Sequence, residues 1–237
     1  MSYKIDSNPR ALIIGVSGQD GSYLSRLLVD KGYDVFGTSR DIQKASFHGL
    51  KFLGVDSQVN QVEMDPYDFE SVYRIISSIL PHEVYNLAAQ SSVGLSFKQP
   101  AETIRSVTVT TLNVLETIRL LQKGTKFYNA GSGEVFGETM GRPADETTEF
   151  NPVSPYGLAK AAATHQVAMY RNIYGLHACT GLLFNHESTL RPEAYVTKKI
   201  ISAACRIGAG STEILELGNI NICRDWGYAP EYVDAMW

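Results

Sequence analysis

Arg10-Ala11-Leu12-Ile13-Ile14-Gly15-Val16-Ser17-Gly18-Gln19-Asp20-Gly21-Ser22-Tyr23-Leu24 joins an apolar run to a helical pattern through glycines at three-residue steps. Arg10 to Ile14 fits a strand and Ser22 to Asp30 a helix. The glycines between them would let the backbone turn sharply, approach a pyrophosphate closely and aim the helix N-terminus at its charge. In this strand, loop and helix context, a pattern that is weak by itself becomes a dinucleotide-binding reading carried by Gly15, Gly18, Gln19, Asp20 and Gly21. A glycine-rich turn that merely packs a helix close to a sheet is the plainer alternative.

Outward from this loop the same alternation repeats, which is the rhythm of βαβ units and a parallel sheet. Strands are predicted at 34–38, 61–64, 83–87, 126–130 and 178–183, with helices at 68–78, 101–122 and from Ser154 to about Tyr174. Val72, Ile75, Ile76 and Ile79 recur at three- and four-residue steps and so share one helix face. Beyond Asn185 the alternation weakens to a helix near 196–207 and a strand at 214–217. The expected fold is α/β: a Rossmann-like doubly wound parallel sheet over 1–184, followed by a small, incomplete C-terminal substrate lobe over 185–237. Tyr232, Val233, Met236 and Trp237 begin an amphipathic helix that breaks off mid-pattern. Two readings fit this end: a chain that stops early, or a short helix that docks on the sheet.

Composition narrows the function classes. With 237 residues, 44% of them hydrophobic, the chain can build its own core without disulfides or structural metals. A net charge of −4, with 21 basic residues spread along the chain, argues against phosphate-neutralising nucleic-acid binding. Cys179, Cys205 and Cys223 form no C-x-x-C pair, which suits a reducing compartment and predicts a cytoplasmic protein. The polar N-terminus and the lack of an 18-residue apolar stretch predict neither export nor a membrane partner. His186-Glu187 opens like a zinc-protease motif, but Leu190 stands where the second histidine would be, so no metal is expected.

Chemistry concentrates at strand ends. The second strand ends in Thr38-Ser39-Arg40-Asp41, where this fold reads the adenosine ribose. Arg40 and the Ser39 hydroxyl favour the 2′-phosphate of NADP, whereas Asp41 could serve NAD, and NADP is preferred. Asp65 follows the third strand, where a carboxylate can meet the adenine amine. Leu87, Ala88 and Ala89 are small or apolar where a cofactor would pass close to the backbone. Tyr156 and Lys160 lie four apart on one helix face, and a nearby ammonium lowers a phenol's pKa, which suits removal of a proton from a hydroxyl. Tyr195 and Lys199 repeat this spacing, but lie past the fold change and are read as coincidence. Ser132 and Glu134 end the fifth strand, and a carboxylate beyond the needs of a simple alcohol oxidation allows a second proton transfer.

With these residues in place, the chain resembles the extended short-chain dehydrogenase/reductase superfamily. Gly18-Gln19-Asp20-Gly21-Ser22-Tyr23-Leu24, the run from Tyr85 to Phe97, and Ser154-Pro155-Tyr156-Gly157-Leu158-Ala159-Lys160 make the likeness closer. Leu183-Phe184-Asn185-His186-Glu187-Ser188, Leu217-Gly218-Asn219 and Arg224-Asp225-Trp226-Gly227-Tyr228-Ala229 complete a set similar to the GDP-mannose 4,6-dehydratase family. The resemblance implies a lyase acting on GDP-mannose through tightly held NADP. It gives Tyr156 the O4 proton, Lys160 the ribose and the lowering of the tyrosine pKa, and Glu134 the C5 proton and the departing C6 hydroxyl. Ser132 replaces a frequent Thr, and Gly133 replaces a commoner Ser, a change that loosens the loop. Ser91, Asn185, Val196, Lys199 and Arg224 are implied sugar-nucleotide contacts, with Arg224 suited to the diphosphate. A homo-oligomer, dimer or tetramer, is implied through the long helices and the loop after Arg40. Another nucleotide-sugar epimerase or reductase, or a non-catalytic cofactor-binding subunit, are the alternatives left open.

Overall fold

A computed structural model describes residues 8–121 and 124–237. The elements run β1 (Arg10–Ile14), α1 (Gln19–Asp30), β2 (Asp34–Ser39), α2 (His48–Phe52), β3 (Val59–Glu63), α3 (Phe69–Ile79), β4 (Glu83–Asn86) and α4 (Val93–Lys98). They continue with α5 (Pro100–Leu121), β5 (Lys126–Ala130), α6 (Pro155–Tyr174), β6 (Ala178–Gly181), β7 (Asn185–Glu187), α7 (Val196–Gly208), β8 (Trp226–Tyr228) and α8 (Ala229–Met236). Gln122, the predicted last residue of the long helix, lies outside the described residues.

Six strands form one parallel sheet in the order β3-β2-β1-β4-β5-β6. That order reverses between β1 and β4, the topological switch point at which such sheets bind ligands beyond their strand C-termini. The interior of β1 is apolar at consecutive positions because both faces are covered: Leu12 and Ile14 pack with Val72, Ile75, Ile76 and Ile79 of α3 on one side. Ala11 and Ile13 pack with Leu24 and Leu28 of α1 on the other. The periodicity in α3 thus marks the face it buries.

Helix starts follow local chemistry. Asp68 caps α3 by accepting from the Glu70 and Ser71 N–H groups. Ser154 caps α6, its Oγ accepting from Gly157 N at 3.0 Å, with Pro155 in the first turn. Gly18, which caps α1, brings no side chain to its orphan N–H groups.

The region after β6 departs from expectation in two ways. No strand forms at 214–217, and Ile214 is 87% exposed. An isolated strand has no ladder partner to satisfy its backbone groups, and the next extended segment, β8, pairs instead with β7 in a separate two-stranded parallel sheet. α8 docks, burying Val233 and Met236 in the cluster that holds Leu24 and Leu28. Trp237 Nε1 donates to the Tyr33 hydroxyl at 3.1 Å, and the Lys31 ammonium lies 3.4 Å over the indole. Among the described residues no helix is long and apolar enough to cross a membrane.

Candidate active site

A cleft of ≈2040 Å³ opens along the strand C-termini. This is roughly twice the ~1,000 Å³ upper range of single-ligand pockets, so two nucleotide-sized molecules fit end to end. Every predicted site residue lines it except Asp65 and Lys199. Asp65 is exposed and turns its carboxylate to Tyr67 N at 3.0 Å, closing a tight turn. The Lys199 ammonium bonds the Glu216 carbonyl.

At one end stands the glycine loop. Gly15 has φ +93°, and an added Cβ there would meet Ala88 N at 2.8 Å, so only glycine lets this turn lie against the backbone after β4. The uncapped start of α1 leaves backbone N–H groups and the positive end of the helix dipole on the cleft, which is a fitting seat for a diphosphate. At the β2 end, Asp41 is occupied: its carboxylate takes the Lys44 ammonium at 3.0 Å and the Gln43 and Lys44 N–H groups, and these bonds hold its pKa low. Arg40 extends over the Tyr67 ring, 5.7 Å from its centroid, and makes no salt bridge among the described residues. The loop fits the diphosphate of a nicotinamide dinucleotide.

Gln19 and Asp20, predicted as cofactor contacts, have their side chains engaged elsewhere. Asp20 Oδ2 lies 2.9 Å from His186 Nε2, Gln19 Nε2 donates to the His186 carbonyl at 3.2 Å, and Ser188 Oγ donates to Gln19 Oε1 at 2.8 Å. His186 also stacks on Tyr232 of α8, with 4.4 Å between ring centroids. The glycine loop is thereby tied to β7 and the C-terminal helix. Burial opposes both charges, but the mutual bond and attraction prevail, so Asp20 is held below its ordinary carboxyl pKa and His186 above its ordinary imidazole value. The Asp20 contribution is present above 3.8 and lost as pH falls through its lowered value; the His186 contribution is complete below 6.5 and lost as pH rises through its raised value. Asp20→Asn is expected to cost about 1.5–3 kcal/mol of unfolding free energy at pH 6, where the charge-assisted bond is intact. Chemical denaturation from pH 6 upward checks this, the difference from wild type shrinking as His186 deprotonates.

The opposite wall carries Ser132, Glu134, Tyr156 and Lys160. Ser132 caps a single 3₁₀ turn, Gly133–Val135, its Oγ accepting from Glu134 N at 3.2 Å. Glu134 is half-buried, lines the cleft and stands close enough to Tyr156 that its charge opposes the phenol's ionisation. Gly157 makes this closeness possible, because an added Cβ there would fall 2.5 Å from the Glu134 carbonyl. The Gly133 loop is tight rather than loosened: its N–H donates to Leu183 O at 2.8 Å, and a Cβ would press on the Phe184 ring at 2.9 Å.

Lys160 departs from the resemblance. Its Nζ donates to the Ala130 carbonyl at 2.7 Å and lies 5.7 Å from the centroid of the Tyr156 ring. Burial lowers its pKa to about 8. Burial also pushes Tyr156 up to about 12, against a lowering contribution from the Ser132 hydroxyl, so the phenol is protonated at neutral pH rather than activated by the lysine.

The family model described as GDP-mannose 4,6 dehydratase matches residues 12–237. The chain belongs to the GDP-mannose 4,6-dehydratase family. It is 44% identical to GDP-mannose 4,6-dehydratase of Sinorhizobium fredii, covering 96% of this chain and 67% of the relative. It is 46% identical to GDP-mannose 4,6 dehydratase 1 of Arabidopsis thaliana, covering 96% and 65%. The chain thus spans about two thirds of the length of the curated relatives it matches. Among solved structures it is similar to UDP-glucose 4-epimerase of Thermotoga maritima, with TM-score 0.83 at 26% identity over 96% of this chain and 72% of that one. The fold is also that of a dTDP-glucose 4,6-dehydratase from Streptomyces venezuelae with NAD bound, with TM-score 0.82 at 19% identity, covering 95% and 70%.

Three family-member residues in the cleft escaped the sequence reading. Tyr195, set aside as coincidence, lines the cleft and shares a 2.7 Å hydroxyl–hydroxyl hydrogen bond with Ser91. Arg191 lies 3.7 Å over the Tyr195 ring and 3.3 Å from Glu187. In the sequence His186 shows only the absence of a second metal-spaced histidine, and no local spacing reveals its partner at Asp20.

Proposed function

We propose that this protein is a GDP-mannose 4,6-dehydratase that uses NADP to convert GDP-mannose to GDP-4-keto-6-deoxy-mannose and water. The observation carrying the reading is the convergence of Glu134 with Ser132 and Tyr156 on one wall of the cleft that also holds the glycine loop. The family match and the relatives' names support the substrate. Arg40, with Asp41 engaged by Lys44, supports NADP over NAD.

When bound in its oxidised form, the cofactor supplies a hydride acceptor, later a hydride donor, and a positive charge. Gly15, Gly18 and the start of α1 would hold its diphosphate, Arg40 the 2′-phosphate and Lys160 the ribose. Tyr156 takes the proton from O4, its phenolate favoured by added positive charge and by the Ser132 hydroxyl. The 4-keto group acidifies C5, and Glu134 removes that proton. The same carboxyl then delivers a proton to the C6 hydroxyl, which leaves as water. Asn185, Val196 and Arg224 are the sugar-nucleotide contacts on the cleft, while Lys199 and Asp65 would need to turn from their present partners to join. An epimerase would use the serine, tyrosine and lysine but has no task for Glu134.

Apolar side chains exposed on α5 and α6, including Leu112, Leu120, Met169 and Ile173, support a homo-oligomer, and three exposed free thiols support a cytoplasmic setting. Incubation with GDP-mannose tests the activity: a 4-keto product, followed by its alkaline absorbance, is expected. Absence of product together with turnover of a different sugar nucleotide contradicts it.

A further inference from the structure

Tyr195 stands at the N-cap of α7 and brings its hydroxyl to Ser91, on the loop after β4, across the cleft from its own element. Its ring is fixed from behind by the Arg191 guanidinium, itself held by Glu187. The Tyr195 phenol lies near enough to Tyr156 to oppose ionisation of the Tyr156 hydroxyl. Two hydroxyls sharing one hydrogen bond keep one donor and several acceptor sites unspent. That complement matches a sugar hydroxyl, which needs both a donor and an acceptor. Ser91 is exposed, so exchanging the pair's mutual bond for bonds to a ligand removes no buried partner.

We propose that Tyr195 and Ser91 form a two-hydroxyl clamp that binds a hydroxyl of the hexose and positions the ring against Tyr156 and Glu134. This rests on the sugar-nucleotide reading of the cleft, and assigns to Tyr195 a positioning role in recognition of the sugar rather than of the nucleotide. Tyr195→Phe keeps the ring and its stacking on Arg191 and removes only the hydroxyl.

The test titrates the full chain, loaded with NADP, with GDP-mannose and with GDP alone. Tyr195→Phe is expected to weaken GDP-mannose binding about 5- to 10-fold and leave GDP binding unchanged. Ser91→Ala is expected to do the same, and the double variant to lose little more than either single one, because both hydroxyls serve one ligand group. Equal loss for GDP and GDP-mannose, or no loss for either, overturns the clamp. If the wild-type chain binds GDP-mannose no better than GDP, the hexose reading itself fails, and the clamp with it.

Discussion

Replacing Glu134 with Gln is expected to reduce dehydratase turnover about 10²- to 10⁴-fold, the usual range for loss of a positioned proton-transfer group. The substitution is nearly isosteric, and the Ser132 Oγ to Glu134 N–H bond that shapes the turn involves only backbone at residue 134, so the wall keeps its form. Thermal stability should stay close to wild type. Without the carboxylate, nothing else assigned to this wall can take the C5 proton: Tyr156 is committed to O4, Ser132 is a neutral hydroxyl, and the Lys160 ammonium is bonded to Ala130. Reaction in D₂O is the sharper readout. Wild-type product should carry solvent deuterium at C5, and the variant should exchange that position more slowly by the same factor. Full turnover with undiminished C5 exchange would remove Glu134 from the chemistry and assign the C5 proton to another group.

Lys160→Met is expected to abolish most activity, with a loss of roughly 10²-fold or more, while making the protein more stable at pH 7. Lys160 is 7% exposed, and burial moves its pKa from 10.5 to about 8. At 1.36 kcal/mol per unit, keeping it charged in the folded state opposes folding by about 3 kcal/mol at neutral pH. Losing the bond to the Ala130 carbonyl gives back about 1 kcal/mol, leaving a net gain of about 2 kcal/mol. The sign follows from proton counting. Between about 8 and 10.5 the unfolded chain holds the proton and the folded one does not, so wild-type stability rises with pH over that window, and the advantage of Lys160→Met fades across it. Denaturant titrations at pH 7 and pH 10 check this. A variant less stable than wild type at pH 7 would mean that the lysine contributes more through its carbonyl bond than its burial costs.

Much of the fold was legible because a parallel sheet buried on both faces writes itself as apolar runs between helical periods. β1, β5 and α6 fall where the pattern puts them, and the glycine loop follows from its spacing together with its place between a strand and a helix. The second sheet was not legible. β7 and β8 are three residues each, too short for any period, and their pairing joins segments separated by the whole of α7. The apolar run at 214–217 looked like a strand because composition reports hydrophobicity and says nothing about a ladder partner.

The site shows the same division. Ser132, Glu134, Tyr156 and Lys160 are close in sequence or set by helix spacing, and one wall carries them all. Asp20 and His186 form an ion pair across 166 residues, and Tyr195 meets Ser91 across 104, separations that no local pattern encodes. The lysine's place beside Tyr156 is illegible for a different reason. Four-residue spacing gives a shared helix face but not the direction of a flexible ammonium, which here takes a backbone carbonyl, while burial works on both groups.

The central claim is that one cleft brings a phenol, a carboxyl and a hydride carrier to a single hexose. Incubation with GDP-mannose deuterated at C4, followed by NMR of the product, tests it most directly. Deuterium at C6 of the 4-keto-6-deoxy product is expected, transferred within one molecule and insensitive to added unlabelled NADPH. Product without the label at C6, or label diluted by external cofactor, would contradict it.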